Sequence, residues 1–253
     1  MIPLKDYNPT RRGAYVTCAL ILANVFVYFF VQPHGSTTAD PRSTQVREAI
    51  FTYEHAAVPC EVVHNHPLHV RELDTGCNKD PQDPPAFPHK NVYLAILYSM
   101  FLHGSLLHIG GNMLFLWIFG NNIEDVMGRF GYLAFYLISG VVAAAAHIAV
   151  QPNSTIPIVG ASGAIAGVMG AYMVIFPNVR IKSLLILGFF VLFRDIEAKW
   201  LLGFWFVLQF FTAPGSGVAW MAHVGGFLFG LLVGLVLRNR PRPLAMQPQY
   251  LPS

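Results

Sequence analysis

Residues 181–193 read "IKSLLILGFFVLF". Whether this run crosses a bilayer decides the fold. As a helix its 13 residues would reach about 20 Å, short of the roughly 30 Å of a hydrocarbon core. The basic residues supply a second criterion. Lys5, Arg11 and Arg12 precede an apolar run at 13–32, and Arg129 separates two further runs. Arg180, Lys182, Arg194 and Lys199 bracket 181–193, and Arg238, Arg240 and Arg242 follow the last run. With six spans all of these cations fall on one side, as the excess of Lys and Arg in cytoplasmic loops requires. A seventh span at 181–193 would move the C-terminal arginines outside. The segment is therefore read as interfacial, or partly embedded, on the cytoplasmic side.

Working outward, the spans are expected at 13–32, 104–121, 130–150, 160–177, 199–213 and 218–237. Composition agrees: 54% of the 253 residues are hydrophobic and 11% charged, against about 25% charged in a soluble domain. The formal charge of +3 holds no basic domain, and neither nucleic acid nor nucleotide is expected as a partner. No small-residue cleavage site follows the first run, which is read as a helix that stays in the protein. The expected fold is all-α, a polytopic membrane bundle of six transmembrane helices with a long first extracytoplasmic loop. Its parts are a cytoplasmic N-terminus (1–12), a first helix (13–32), the loop (33–91), a core (92–237) and a cytoplasmic tail (238–253). Residues 239–253 have the composition of a disordered segment. The inward cations fit a bacterial plasma membrane, a multi-pass placement with both termini cytoplasmic. An organellar membrane is the other reading, without a visible transit peptide.

The loop is polar and rich in proline and histidine. "NKDPQDPPAFPHK" (78–90) excludes a helix through its prolines. "NVYLAILYSMFLHG" (91–104) is apolar and is expected to lie partly on or in the outer leaflet. Cys60 and Cys77 share the loop, where an outward location permits a disulfide. His64, His66 and His69 lie between them at a spacing that matches no metal motif, so no metal is expected.

Polar groups at membrane depth are costly and either pair or do chemistry. His108 and Asn112 are four apart and share a helix face, with His103 at the helix mouth. Ser162 sits among Gly160, Gly163, Gly167 and Gly170, a small-residue surface that lets helices approach closely. His223 heads a stripe of Gly226, Gly230 and Gly234 on the last span. His147 lies near the outer end of the third span, where an interfacial or hydrogen-bonded role suffices. Each has a structural reading when taken alone. Depth joins four of them. At 1.5 Å per residue Ser162 lies about 3 Å below the outer surface, His223 about 7–8 Å, and His108 and Asn112 about 6 and 12 Å. A serine, a base and two hydrogen-bond donors at one level are the parts of an acyl-transfer site. No acid falls in the outer half of a span, so a Ser–His dyad is expected, without a cofactor.

"HGSLLHIGGN" (103–112), "GASG" (160–163) and "AHVGGFLFG" (222–230), on three spans and in this order, resemble the rhomboid family of intramembrane serine proteases. "EDVMGRFGYLAFYLISG" (124–140) is similar too. The resemblance implies an outward-opening, water-filled cavity and cleavage of peptide bonds in or near transmembrane segments of other membrane proteins. It implies Ser162 as nucleophile, His223 as base, and His108 and Asn112 as oxyanion side chains. Gly160 would sit on the strained entry to the nucleophile, with His103 nearby. The fifth helix resembles a lateral gate, with Phe210 and Phe211 as apolar plugs. Two features depart from the family: a Trp-Arg pair in the first outer loop is missing, and Ala166 stands where some members stack an aromatic on the base. His223 must then be held otherwise. The rival readings are a proteolytically inactive binder or chaperone of membrane proteins, and a transporter with a polar relay. The first would normally lose Ser162 or His223, and the second often shows internal repeats.

Overall fold

The computed structural model describes residues 1–33, 41–78, 82–188, 190–212 and 218–238. The tail from 239, with Arg240 and Arg242, lies outside the described residues, as do 79–81 of the proline-rich stretch.

The chain opens with a strand, β1 (Ile2–Asp6). Helix α1 (Tyr15–Phe26) continues into a π-helical turn at Val27–Val31. The loop holds α2 (Pro41–His55), α3 (Pro59–His64) and α4 (Glu72–Thr75). Next come α5 (Leu94–Ser99), α6 (Leu106–Met127), α7 (Arg129–Val150) and α8 (Ser162–Ile175). Strands β2 (Arg180–Leu187) and β3 (Phe190–Glu197) follow, then α9 (Ala198–Gln209) and α10 (Trp220–Leu237). Helices α1, α6, α7, α8, α9 and α10 fall on the apolar runs of the sequence. Of these, α7 and α10 are each long and apolar enough to cross a bilayer, with mean hydropathies of 2.1 and 2.0. The chain is a mostly helical membrane protein.

The expectation of an all-α chain is corrected by a three-stranded antiparallel sheet of order β1-β2-β3. The decisive run 181–193 is the hairpin of that sheet, with Leu187 opposite Phe190 and β1 paired along β2 from Ile2↔Leu184 to Asp6↔Ile181. Physical reasons are visible in the residues. Ile181 and Ser183 are buried while Arg180 and Lys182 are exposed, a period of two. Gly188 takes a φ of 60°, as a two-residue hairpin connection demands. The loop is also more structured than a polar, proline-rich segment implies. Cys60 and Cys77 form a disulfide there, and Lys90 Nζ meets Glu61 Oε2 at 2.5 Å with both side chains buried.

The core is built around α8. Its glycines lie directly on α10: a Cβ on Gly226 would overlap the carbonyl oxygen of Gly163, and one on Gly230 that of Gly167. Only glycine permits that approach, which is close-packed van der Waals contact between backbones. Phe119, Tyr172 and Phe227 fill the surrounding space and are nearly fully buried.

The end of the bundle with the sheet is tied by buried polar groups. Glu124 of α6 accepts the backbone N–H groups of Val16 at 2.9 Å and Thr17 at 2.8 Å, so it caps α1 from another helix. A carboxylate there satisfies orphan donors and complements the helix dipole. Arg129 lies 4.3 Å over the Tyr15 ring. Asp6 accepts from Tyr172 Oη–H at 3.0 Å and Asn122 Nδ2 at 2.5 Å, which fastens β1 to α8 and α6.

Candidate active site

Ser162 is the first residue of α8, and Gly160 just before it has a φ of 117°. This value is strained for any residue with a Cβ. A Cβ at Gly160 would also come within 2.7 Å of His108 Nε2. The segment leading into Ser162 is held by Ala57 of the loop and Ser99 of α5. Gly160 N–H donates to Ser99 O at 2.9 Å, Ile158 N–H to Ala57 O at 2.8 Å, and Ala57 N–H to Ser99 Oγ at 2.7 Å.

His223 lies in the first turn of α10. Its Nε2 is 2.8 Å from Ser162 Oγ, and its Nδ1 is 2.7 Å from Gln209 Oε1 at the end of α9. The close α8–α10 seam brings the first contact about. Trp205, one turn before Gln209, sets its ring 5.7 Å from the imidazole. These two α9 residues hold the His223 ring where Ala166 offers no aromatic.

His108 and Asn112 flank Gly160 from α6. Ser105 caps that helix by accepting the His108 N–H at 3.1 Å. Asn112 Nδ2 donates to His103 Nε2 at 2.9 Å, and the His103 and His108 rings meet edge to face. His103 is fixed in turn by Gln32, which bonds both its backbone groups at 2.9 and 3.1 Å. Ser162, His223, His108, Asn112, Trp205 and Met169 line one cavity of about 550 Å³. The arrangement can transfer a proton from a hydroxyl to an imidazole beside amide and imidazole donors.

Other singled-out residues are not among those that line this cavity. Phe210 and Phe211 follow α9, 56% and 78% exposed, and Phe210 packs on Phe206 and Trp220. His147 is buried on α7. Cys60, Cys77 and His64 lie close together, but the disulfide occupies both sulfurs that a metal would need. Gln209 and Trp205 were not among the sequence candidates. The available signal was a lone amide in an apolar run, four residues after a tryptophan and hence on its face.

A rhomboid domain model matches residues 90–240. This chain belongs to the rhomboid family. It is 31% identical over 157 residues to RHOMBOID-like protein 5 of Arabidopsis thaliana, covering 62% of this chain and 48% of that protein. It is 28% identical over 153 residues to Rhomboid protein 1, mitochondrial, of Saccharomyces cerevisiae, covering 56% and 41%. Identity to the human presenilin-associated rhomboid-like protein, mitochondrial, is 30% over 143 residues, covering 54% and 36%. The matched region thus spans about half or less of these relatives.

Proposed function

We propose that the protein is an intramembrane serine endopeptidase that hydrolyses peptide bonds in or near transmembrane segments of other membrane proteins. The observation that carries this reading is the 2.8 Å contact of His223 Nε2 with Ser162 Oγ in a cavity shared with His108 and Asn112. His223 Nε2 takes the Ser162 proton as Oγ attacks the scissile carbonyl carbon. The negative charge that develops on the carbonyl oxygen is met by the Asn112 amide and the His108 ring. His223 then gives the proton to the leaving amine nitrogen, which releases one product and leaves an acyl ester on Ser162. Water, deprotonated by the same imidazole, hydrolyses that ester. Gly160 places the nucleophile by a backbone turn that other residues resist, and His103 orients Asn112.

In this reading α1 with its π turn, α6, α7, α8, α9 and α10 are the six spans. The cations of the sheet end face the cytoplasm of a cell membrane, and the Ser162 end opens outward. Support comes from the positive-inside pattern and from the sheet, which gathers Lys5, Arg180 and Lys182 at one end.

The test is cleavage of a transmembrane reporter in proteoliposomes. Ser162→Ala and His223→Ala each abolish cleavage while the thermal unfolding profile in detergent stays that of the wild type. Normal cleavage by either variant overturns the proposal.

A further inference from the structure

Among the described residues no carboxylate meets His223, yet its ring is not free to turn. We infer that Gln209 is the positioning residue of His223, selecting the imidazole tautomer that can take the Ser162 proton. This rests on the reading of Ser162 and His223 as a catalytic pair.

The argument begins with the amide. Gln209 Nε2 lies 2.8 Å from the Trp205 carbonyl oxygen. A carbonyl only accepts, so the NH₂ of Gln209 must face it and its Oε1 must face His223. Oε1 in turn only accepts, so the proton on the 2.7 Å contact belongs to His223 Nδ1. Nε2 is then the unprotonated nitrogen, and it is the one that meets Ser162 Oγ at 2.8 Å. The chain Trp205 O, Gln209 amide, imidazole, serine hydroxyl therefore runs in one direction only. Were the ring protonated at Nε2 instead, Nδ1 and Oε1 would present two acceptors to each other, and Ser162 would face a donor.

Burial makes this selection consequential. Gln209 is 8% exposed, so water is a poor substitute for its carbonyl. An unmet polar atom in such a place is costly enough to bias a tautomer strongly. A neutral amide does this without putting a carboxylate into an apolar site, which would carry a far larger desolvation cost. The device also sits on α9, whose backbone makes no close contact comparable to the α8–α10 seam. The base is therefore aimed by an element other than the two that bring it to the serine.

The experiment compares Gln209→Leu, Gln209→Asn and Gln209→Glu in the full chain. Cleavage of a transmembrane reporter in proteoliposomes gives kcat and KM, and ¹⁵N spectra of labelled histidine give the His223 tautomer, assigned by its loss in His223→Ala. Leu removes the acceptor and Asn withdraws it by one methylene. Both are expected to lower kcat about 10²-fold, the lower range of a general base's contribution, with KM changed less than about twofold. Both also lose the single Nδ1–H tautomer of the wild type. Glu keeps an acceptor in reach of Nδ1–H and so keeps the tautomer, while the desolvation cost of its carboxylate leaves kcat between that of Leu and that of the wild type. The inference is overturned if Leu retains wild-type kcat, or if all three variants fall equally while the tautomer is unchanged, which is the mark of a packing role. If Ser162→Ala cleaves normally, the proposed function fails instead, and the spectra still decide what Gln209 does to the ring.

Discussion

Helices α8 and α10 meet backbone to backbone, whereas α9 meets the bundle through side chains. The two glycines that bear on this make the contrast concrete. A Cβ on Gly230 of α10 would collide with the backbone of Gly167, while a Cβ on Gly203 of α9 would find nothing within 4 Å. Along α9, Leu201 and Leu202 are buried, but Trp200, Phe204, Val207 and Leu208 are 46–68% exposed. The seam fixes the distance between Ser162 and His223. The side-chain contacts of α9 fix only the angle of the His223 ring, through Trp205 and Gln209. Distance is held by the rigid element and orientation by the adaptable one.

The largest effect tests the seam. Gly230→Ala forces α8 and α10 apart, because the atoms it meets are backbone and have nowhere to go. The expected cost is about 3 kcal/mol or more, read as a lower midpoint of thermal unfolding in detergent, together with loss of reporter cleavage. A variant of wild-type stability and activity would dissolve the contrast. The Gln209 series described above is next, with kcat falling about 10²-fold and the fold retained.

A third prediction concerns the far end of α8, where Tyr172 meets Asp6. Burial pushes the Asp6 carboxyl up from 3.8 to about 6, against the lowering effect of its bonds from Tyr172 and Asn122. The folded chain then holds a proton that the unfolded chain releases above about pH 4. The contribution of Asp6 is fully present below about pH 4 and is lost as pH rises through about 6. Its size is on the order of 1–2 kcal/mol. Asp6→Asn should flatten that slope in thermal unfolding measured from pH 4 to 7, and an unchanged slope would assign it to other groups. The smallest effect sharpens the comparison from the α9 side. Gly203→Ala should raise stability by about 0.5–1 kcal/mol, since it removes a helix-interior glycine and meets no neighbour.

The helices were legible because long apolar runs carry their own signal, and α6, α7, α8, α9 and α10 begin within a few residues of the expected positions. The grouping of Ser162, His223, His108 and Asn112 was legible because polar atoms at one depth have few reasons to coincide. The sheet was not. Its β2 and β3 read as one short apolar run, and the partner that gives them meaning, β1, lies at the other end of the sequence. Gly188 between two apolar stretches was the local clue to a hairpin. Gln209 was also hidden, for a different reason. Which face of α9 turns inward is set by docking on α10, and a single amide in an apolar helix does not reveal that.

The pairing of β1 with β2 also bears on how the protein is made. Ile2 finds its partner only at Leu184, about 180 residues later. At synthesis rates of about 5–20 residues per second, β1 emerges about 10–35 s before anything can pair with it. During that interval its backbone amides and carbonyls are an open edge beside a growing set of apolar helices. Asp6, Tyr172 and Asn122 then come together only after α8 exists. The pairing of β1 with β2 can close only later still, once Arg180–Leu187 have been made, so both ties at that end join the start of the chain to elements made after α6 and α8.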